Sequence, residues 1–177
     1  MGDEVSMRAT ISLAAKHRVK IGAHPSFPDT DSFGRKVLTI TKEALAQSIF
    51  HQLLEFYAVC ETEGAAIHHI KLHGALYNYA AKDAPTADAV VEAIVATKTR
   101  PTLYVPYGSV LHRKAENLLP LRFEAFIDRR YANDLSLVSR DADGAVIHEP
   151  ERAWKQLQQL VFSNTVTTVE GVQKSIT

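Results

Sequence analysis

Four short apolar segments alternate with segments of helical periodicity along this chain of 177 residues. The apolar segments are residues 19–24, 67–73, 102–105 and 123–127. Between them, apolar side chains recur at the three- and four-residue spacing of amphipathic helices. Strands that alternate with helices predict a parallel sheet joined by right-handed crossovers. Since no repeat or linker interrupts the pattern, we expect one α/β domain over residues 1–177.

The helical segments carry residues that favour helix ends. Asp3 is a good N-cap for a helix over residues 4–17, and Thr41 for a long helix that ends at Gly64. Two more helices are predicted over residues 84–97 and 109–118. A final helix is predicted over 151–162, with an apolar face formed by Trp154, Leu157, Leu160 and Val161. The segment 132–150 is irregular, and 165–172 is predicted as a strand or hairpin with a turn at Gly171.

Composition argues against several classes of partner. The formal net charge is zero and the pI is about 7.1, so nothing indicates nucleic-acid or anionic-membrane binding. No apolar run reaches transmembrane length, and the acidic start does not resemble a signal peptide. The single cysteine, Cys60, excludes a disulfide within the chain. We therefore expect a cytoplasmic protein that does not associate with membranes.

Two of the predicted strands run directly into a histidine. His24 ends the first strand and His73 ends the second, and loops 25–29 and 74–78 follow them. Ligands of parallel α/β folds bind at the carboxyl ends of strands, so both imidazoles are expected to face one crevice. Histidine suits proton transfer near neutral pH and metal ligation. The alternative is that both residues only pack and hydrogen-bond their loops.

Asp128 adds a carboxylate at the end of the fourth predicted strand. It could orient a histidine, act as a base or bind a metal; the alternative is an ion pair with Arg129, Arg130 or Arg35. Two histidines and one carboxylate can form a metal triad, but no metal-specific spacing such as His-Glu-x-x-His is present. The sequence therefore leaves the use of a metal open.

Other polar residues lie in the same segments. Lys71 precedes His73 by two residues, so both side chains lie on one face of the strand, where a lysine is costly unless paired or used. The guanidinium of Arg35 suits a carboxylate ligand, although it could equally be solvated. Tyr77 and Asn78 could hydrogen-bond a substrate, or Tyr77 could simply pack.

For the remaining candidate residues, His68, His69 and Cys60, the sequence favours a structural role or simple exposure. His68 and His69 are expected at the inlet end of the second strand, as structural or exposed residues. Cys60 lies on an apolar helix face and is expected to be buried. The chain has no P-loop, no Gly-x-Gly-x-x-Gly and no Gly-x-Ser-x-Gly motif, so it offers no recognisable ATP or dinucleotide site of its own.

Several segments together resemble the LamB/YcsF family. Residues 21–29 read Ile-Gly-Ala-His-Pro-Ser-Phe-Pro-Asp and are followed by Phe-Gly-Arg at 33–35. Residues 71–78 read Lys-Leu-His-Gly-Ala-Leu-Tyr-Asn, where the family usually has Lys-Pro-His-Gly-Ala-Leu-Tyr-Asn. Residues 128–131 and 144–151 supply further matches. The resemblance runs in order over nearly the whole chain.

This resemblance implies a fold, a reaction and partners. The implied fold is an irregular (β/α) barrel related to glycoside hydrolases and polysaccharide deacetylases. The implied reaction is the ATP-dependent opening of the lactam 5-oxo-L-proline to L-glutamate, together with 5-oxoprolinase subunits B and C. Within the matching segments we assign catalytic roles to His24, His73, Lys71 and Asp128. We assign substrate binding to Ser26, Arg35, Tyr77, Asn78 and Arg129.

The chain also departs from the family pattern. Family members begin with strands carrying Asp-x-Gly-Glu and Phe-His-Ala-Gly-Asp, whereas this chain starts at the last two residues of the second motif. They end with a strand leading to His-Gly-Asp-Thr-Pro, which is absent here, and residues 133–140 replace the usual Asp-Gly-x-Leu-Val-Pro-Arg. We therefore expect an incomplete barrel lacking N- and C-terminal strands, with another chain or a second copy covering its open edges.

Two alternative functions follow from these departures. One is a non-catalytic remnant that binds a ligand or a partner protein. The other is a metal-dependent deacetylase or amidase of the same barrel superfamily.

Overall fold

A computed structural model describes residues 3–140 and 142–176 of the chain. These residues form two compact units. The first unit contains the described residues up to Val105 together with Val110–Arg122. The second contains Pro106–Ser109 and the described residues from Phe123 onward. Because each unit buries side chains of its own, the two are described in turn; the single domain over 1–177 stays a prediction.

The sheet confirms the predicted α/β fold. Its four strands lie in the order β1-β2-β3-β4, and β1 pairs with β2 and β2 with β3 in parallel. The irregular, incomplete barrel stays a prediction. The elements are α1 (Glu4–Lys16), β1 (Ile21–Ala23), α2 (Lys42–Thr62), β2 (Ile67–Lys71), α3 (Gly74–Ala80), α4 (Ala84–Ala96), β3 (Thr102–Pro106), α5 (Val110–Ala115) and β4 (Leu121–Glu124).

The predicted caps of α1 and α2 are confirmed, whereas the helix predicted over 109–118 is shorter, at Val110–Ala115. Asp3 caps α1 by accepting from the Ser6 amide, and the Ser6 hydroxyl accepts from the Asp3 amide in return. Thr41 caps α2 through the Ala44 amide. Gly64 follows the end of α2 with φ of +65°, a conformation that glycine adopts without steric cost.

The two faces of β2 differ in character. Ile70 is fully buried, as are Leu103 in β3 and Leu53 in α2. His69 and Lys71, on the alternate positions of β2, are only partly buried. Successive side chains of a strand point to opposite faces, so one face of the sheet packs on helices and the other carries polar side chains.

The segment 74–78 is not the loop that the sequence predicts. It belongs to the seven-residue helix α3, which has His73 as its N-cap residue. Leu76, Tyr77 and Ala80 are buried on this helix. Their spacing is helical, so they form one buried face that stabilises the helix. From the sequence alone, the glycine directly after His73 suggests a turn at this position.

The predicted end of the fourth strand is wrong. The strand β4 covers Leu121–Glu124, so Asp128 lies four residues beyond it rather than at its end. The Phe126 amide donates to the phenol oxygen of Tyr131 at 2.7 Å instead of to a neighbouring strand. Burial raises the pKa of Tyr131, so this acceptor stays protonated at neutral pH.

The last helix also differs from its prediction. Helix α6 covers Pro150–Gln158 and continues as a π-helical turn over Gln159–Ser163. Trp154 on the predicted apolar face is 59% exposed, whereas Gln156 is buried. The Gln156 side chain donates to the carbonyls of Phe126 and Arg129, so hydrogen bonding places this helix against the segment after β4.

The second unit closes with the predicted hairpin. Strand β5 (Thr165–Thr167) pairs antiparallel with β6 (Gln173–Ser175). Gly171 lies in the connecting turn with φ of +79°. None of the helices in the described part of the chain is both long and apolar enough to cross a membrane.

Cys60 is expected to react very slowly with thiol reagents. It is 1% exposed on α2, and burial raises the pKa of its thiol, so little thiolate forms. We expect iodoacetamide labelling of the native protein to be at least about a hundredfold slower than in guanidinium, and to stay slow at pH 8. Mass spectrometry of timed samples measures this. Rapid labelling of the native protein would contradict the burial of Cys60.

Candidate functional site

The two histidine loops are joined to each other through their backbones. We call residues 24–35 and 71–78 the paired loops. The His73 amide donates to the Pro25 carbonyl at 2.8 Å, and the Ala75 amide donates to the Gly34 carbonyl at 3.0 Å. These bonds connect the segment after β1 with the start of α3, so the two loops form one structure.

The two imidazoles also anchor these loops. His24 Nδ1 lies 2.6 Å from the Lys71 carbonyl oxygen, and His73 Nε2 lies 2.8 Å from the Phe33 carbonyl oxygen. A carbonyl only accepts, so each of these ring nitrogens carries the proton. In the neutral rings, the basic nitrogen is therefore Nε2 of His24 and Nδ1 of His73.

The sequence prediction that His24 and His73 come together agrees with this geometry. Their ring centroids are 4.9 Å apart with an interplanar angle of 75°. The Phe33 ring packs edge-on against His73 at 5.5 Å. His24 is exposed and His73 is half-buried. The pair therefore combines one accessible imidazole with one that the paired loops hold in place.

Two glycines allow the close approach of the paired loops. Gly74 has φ of +52°, and a β-carbon there would lie 2.6 Å from the Gly34 carbonyl oxygen. Gly34 also has a positive φ, of +66°. Asp29 shapes the same turn, because its carboxylate accepts from the Asp31 and Ser32 amides. The long connection after β1 is thus hydrogen-bonded at its centre.

A glutamine on α2 holds the segment that follows His24. Gln52 Oε1 accepts from the Ser26 amide at 3.0 Å, and Gln52 Nε2 donates to the Ser26 carbonyl at 2.9 Å. Ser26 itself is 2% exposed, and its hydroxyl donates to the Phe27 carbonyl. The sequence does not point to Gln52, because one polar residue on a long helix carries no distinguishing pattern.

Replacing Gln52 should destabilise the protein. In Gln52→Leu both backbone groups of Ser26 lose their partner, at a cost of about 1–3 kcal/mol in unfolding free energy. Gln52→Glu should also destabilise, since a carboxylate cannot donate to the Ser26 carbonyl. Urea titrations measure the change, with the exposed Gln47→Leu on the same helix as the control. Equal stability of Gln52→Leu and Gln47→Leu would contradict this role.

The other predicted residues of the first unit belong to the paired loops themselves. Lys71 Nζ is 6.0 Å from the centre of the Tyr77 ring, and Tyr77 is 5% exposed. The Arg35 guanidinium is 5.8 Å from the centre of the Phe33 ring, and Arg35 is exposed. Asn78 is half-buried on α3. Their roles in substrate binding or catalysis, like that of Ser26, stay predictions.

His69 lies in the middle of β2 rather than at its inlet end, and the structural role predicted for it stays a prediction. It is half-buried on the same face of β2 as Lys71. With His24 and Gln52 it lines a cavity of about 490 Å³ between α1, β1 and α2. The period-two spacing of His69, Lys71 and His73 is the sequence signal that points to it.

Asp128 and Arg129 belong to the second unit. Asp128 is exposed, and Arg129 is 4% exposed with its Nη2 donating to the Val138 carbonyl at 2.6 Å. Burial lowers the pKa of the Arg129 guanidinium, with a smaller contribution from the positive charge of Arg140. The participation of Asp128 and Arg129 in a site with the histidines stays a prediction.

The sequence leaves metal ligation open. Within residues 3–140 and 142–176, no group of three or more histidine, cysteine, aspartate or glutamate side chains is arranged to hold a metal ion.

Comparison with known proteins identifies the family. The family model described as LamB/YcsF family matches residues 1–177. The chain belongs to the LamB/YcsF family. The family resemblance of the two histidine segments is thereby confirmed.

Relatives within the LamB/YcsF family carry informative names. The chain is 41% identical over 177 residues to the 5-oxoprolinase A subunit of Symbiobacterium thermophilum, covering 99% of this chain and 67% of the relative. It is 37% identical over 176 residues to the 5-oxoprolinase A subunit of Alkaliphilus metalliredigens, covering 99% and 69%. The chain thus spans about two thirds of the length of these LamB/YcsF proteins.

A solved structure supports the fold of this LamB/YcsF chain. The crystal structure of a lactam utilization protein from Thermus thermophilus superposes with a TM-score of 0.88 at 32% sequence identity. The match covers 99% of this chain and 71% of the other. The names of that protein and of the two relatives refer to lactams or to 5-oxoprolinase.

Proposed function

We propose that this protein takes part in opening the lactam ring of 5-oxo-L-proline to give L-glutamate. The observation that carries the proposal is the His24 and His73 pair, held by backbone carbonyls at a ring separation of 4.9 Å. The names of the relatives supply the substrate class. The reaction adds water to the lactam carbonyl carbon and breaks its bond to the ring nitrogen, which takes up a proton.

His24 is the better placed general base. Its Nδ1 proton is committed to the Lys71 carbonyl, so Nε2 is the nitrogen that accepts a proton from water. His24 is also exposed, whereas His73 is half-buried and donates to the Phe33 carbonyl. His73 then serves to position the His24 ring edge-on, which reduces the reorganisation needed at the moment of reaction.

Positive charge near the paired loops suits the rest of the substrate. Lys71 would stabilise the oxyanion that forms on the lactam carbonyl, and Arg35 would bind the substrate carboxylate through its planar guanidinium. The Lys71 ammonium nitrogen lies 6.0 Å from the centre of the Tyr77 ring, at the outer limit of a cation–π contact. Ser26, Asn78 and Arg129 remain further candidates for substrate contacts, and Asp128 for a carboxylate that orients a histidine.

ATP and partner subunits complete the proposal. Opening a five-membered lactam is coupled to ATP hydrolysis in the implied reaction, yet the chain has no recognisable ATP motif. We infer that subunits B and C contribute the nucleotide site and that this chain supplies the paired loops. Either the lactam or its phosphorylated form would then bind next to His24.

The test is reconstitution of turnover. The purified chain is mixed with subunits B and C of a 5-oxoprolinase, ATP and 5-oxo-L-proline, and glutamate is measured by an enzymatic assay. ATP-dependent glutamate formation that requires this chain supports the proposal. Complex formation without turnover would reject catalysis and favour a binding role. Turnover of acetylated substrates that a chelator abolishes would instead favour the deacetylase or amidase class.

A further inference from the structure

The side chain of His69 packs against both neighbouring strands of the sheet. Its ring stacks on Tyr104 of β3 with centroids 4.7 Å apart and an interplanar angle of 23°. On the opposite side it lies against Gly22 of β1, where a β-carbon would come within 2.5 Å of its Cε1 and Nε2 atoms. The ring is therefore clamped between the backbone of one neighbouring strand and the aromatic ring of the other.

One edge of this ring is already engaged. His69 Nδ1 lies 3.2 Å from Nδ1 of His68, so one of these nitrogens donates to the other. The clamp and this bond together fix the plane and the rotation of the His69 ring. A fixed imidazole of this kind is suited to contact a ligand with little reorganisation.

The cavity beside His69 is large enough for a small molecule. Its volume of about 490 Å³ lies within the range of about 300–1,000 Å³ that is common for ligand sites. The continuous chain from Val19 to Pro25 forms one wall, and Met7 and Ile11 of α1 lie on another. His24, Gln52 and His69 add polar groups. The same cavity is thus lined by the proposed base His24 and by a second imidazole from the neighbouring strand.

We propose that this cavity binds the lactam and that His69 protonates the ring nitrogen as the carbon–nitrogen bond breaks. This inference rests on the proposed function and names its acid and the pocket that holds the ring nitrogen. Lys71 and Arg35 do not line this cavity, so they would contact the carbonyl oxygen and the carboxylate outside it, beyond His24. His24 removes a proton from water, the oxygen of that water bonds to the lactam carbonyl carbon, and the electrons of the broken bond stay on nitrogen. His69 in its protonated form supplies the proton that this nitrogen takes up, and solvent restores it.

Proton NMR of the histidine ring hydrogens tests the pocket without requiring turnover. The isolated chain is titrated with 5-oxo-L-proline, and each signal is assigned by substitution. We expect saturable shifts of the Cε1 hydrogens of His69 and His24, while the exposed His51 on α2 stays unchanged. If the signals of His24 and His73 shift but His69 does not, this inference is overturned while the proposed function stands. If no histidine responds, the binding of the lactam in this cavity is rejected, and the proposed function is decided by the reconstitution assay.

Variants of the clamp separate a catalytic role from a packing role. Gly22→Ala should displace the His69 ring and weaken 5-oxo-L-proline binding by about tenfold or more. Should Gly22→Ala fail to fold, Tyr104→Leu removes the stack without filling space, and Tyr104→Phe should restore binding because it keeps the ring. Equal binding by Tyr104→Leu and Tyr104→Phe would count against the clamp.

In the reconstituted complex, His69→Gln should lower kcat by about 10²- to 10⁴-fold, the usual contribution of a general acid. It should also remove the loss of rate at high pH that deprotonation of an acid causes. His51→Gln is the control on the same chain. An unchanged pH profile of kcat in His69→Gln would overturn the assignment of His69 as the acid.

Discussion

Replacement of His24 by asparagine is expected to lower the rate of glutamate formation by about 10²- to 10⁴-fold in the reconstituted complex. The amide nitrogen of asparagine takes the place of Nδ1 and keeps the bond to the Lys71 carbonyl. What is lost is Nε2, the basic nitrogen. The variant therefore removes the proton acceptor without releasing the anchor between the paired loops.

The matched variant is His73→Gln. The amide nitrogen of glutamine reaches the position of Nε2 and keeps the bond to the Phe33 carbonyl. Because the proposed function gives His73 a positioning role and makes His24 the proton acceptor, we expect a smaller loss than in His24→Asn. His73→Ala, which removes the anchor, should lose more than His73→Gln. Full activity of His24→Asn, with kcat and KM both unchanged, would reject His24 as the base.

The second large effect concerns Gly74. Gly74→Ala should reduce the free energy of unfolding by more than about 2 kcal/mol, because two costs add. A residue with a β-carbon at φ of +52° pays about 1–2 kcal/mol for the left-handed conformation. The new methyl group would also lie 2.6 Å from the Gly34 carbonyl oxygen, so the paired loops would have to separate.

Gly64→Ala is the matched control for this experiment. Gly64 has a similar φ of +65°, but nothing lies within 4 Å of a β-carbon there. The substitution Gly64→Ala should therefore reduce the free energy of unfolding only by the conformational cost, about 1 kcal/mol. Urea unfolding monitored by circular dichroism measures both variants. If both glycines cost the same, the contact between Gly74 and Gly34 contributes nothing to stability.

The predictable parts of the fold are those with a local chemical signal. Asp3 and Thr41 have side chains that accept from helix amides, and β2 and β3 each contain buried apolar residues such as Ile70 and Leu103. Caps and apolar periodicity depend on near neighbours, which the sequence displays directly. The family motif adds the location of the histidine loops.

The parts that could not be predicted depend on distant partners. Helix α3 forms where its buried face meets the rest of the unit, and β4 ends early because the Phe126 amide meets the Tyr131 hydroxyl. Gln52 and Gln156 each bond the backbone of a remote segment. In a sequence they are ordinary helix residues, so only the tertiary structure assigns them their role.

His69 illustrates how a correct rule can be applied too narrowly. The period of two that relates Lys71 to His73 relates Lys71 equally to His69. What the sequence could not supply is the clamp, because Gly22 and Tyr104 come from strands that are separated from His69 along the chain. The strand face on which His69 lies was predictable from the sequence, and its packing between Gly22 and Tyr104 was not.

The backbone bonds between the paired loops have a consequence for protein engineering. His73 and Ala75 donate to Pro25 and Gly34, so each loop is held in part by the backbone of the other. A graft that transfers only one loop from a homologue would meet a mismatched partner. Attempts to change the substrate preference of such a protein should exchange both segments together, as a single cassette.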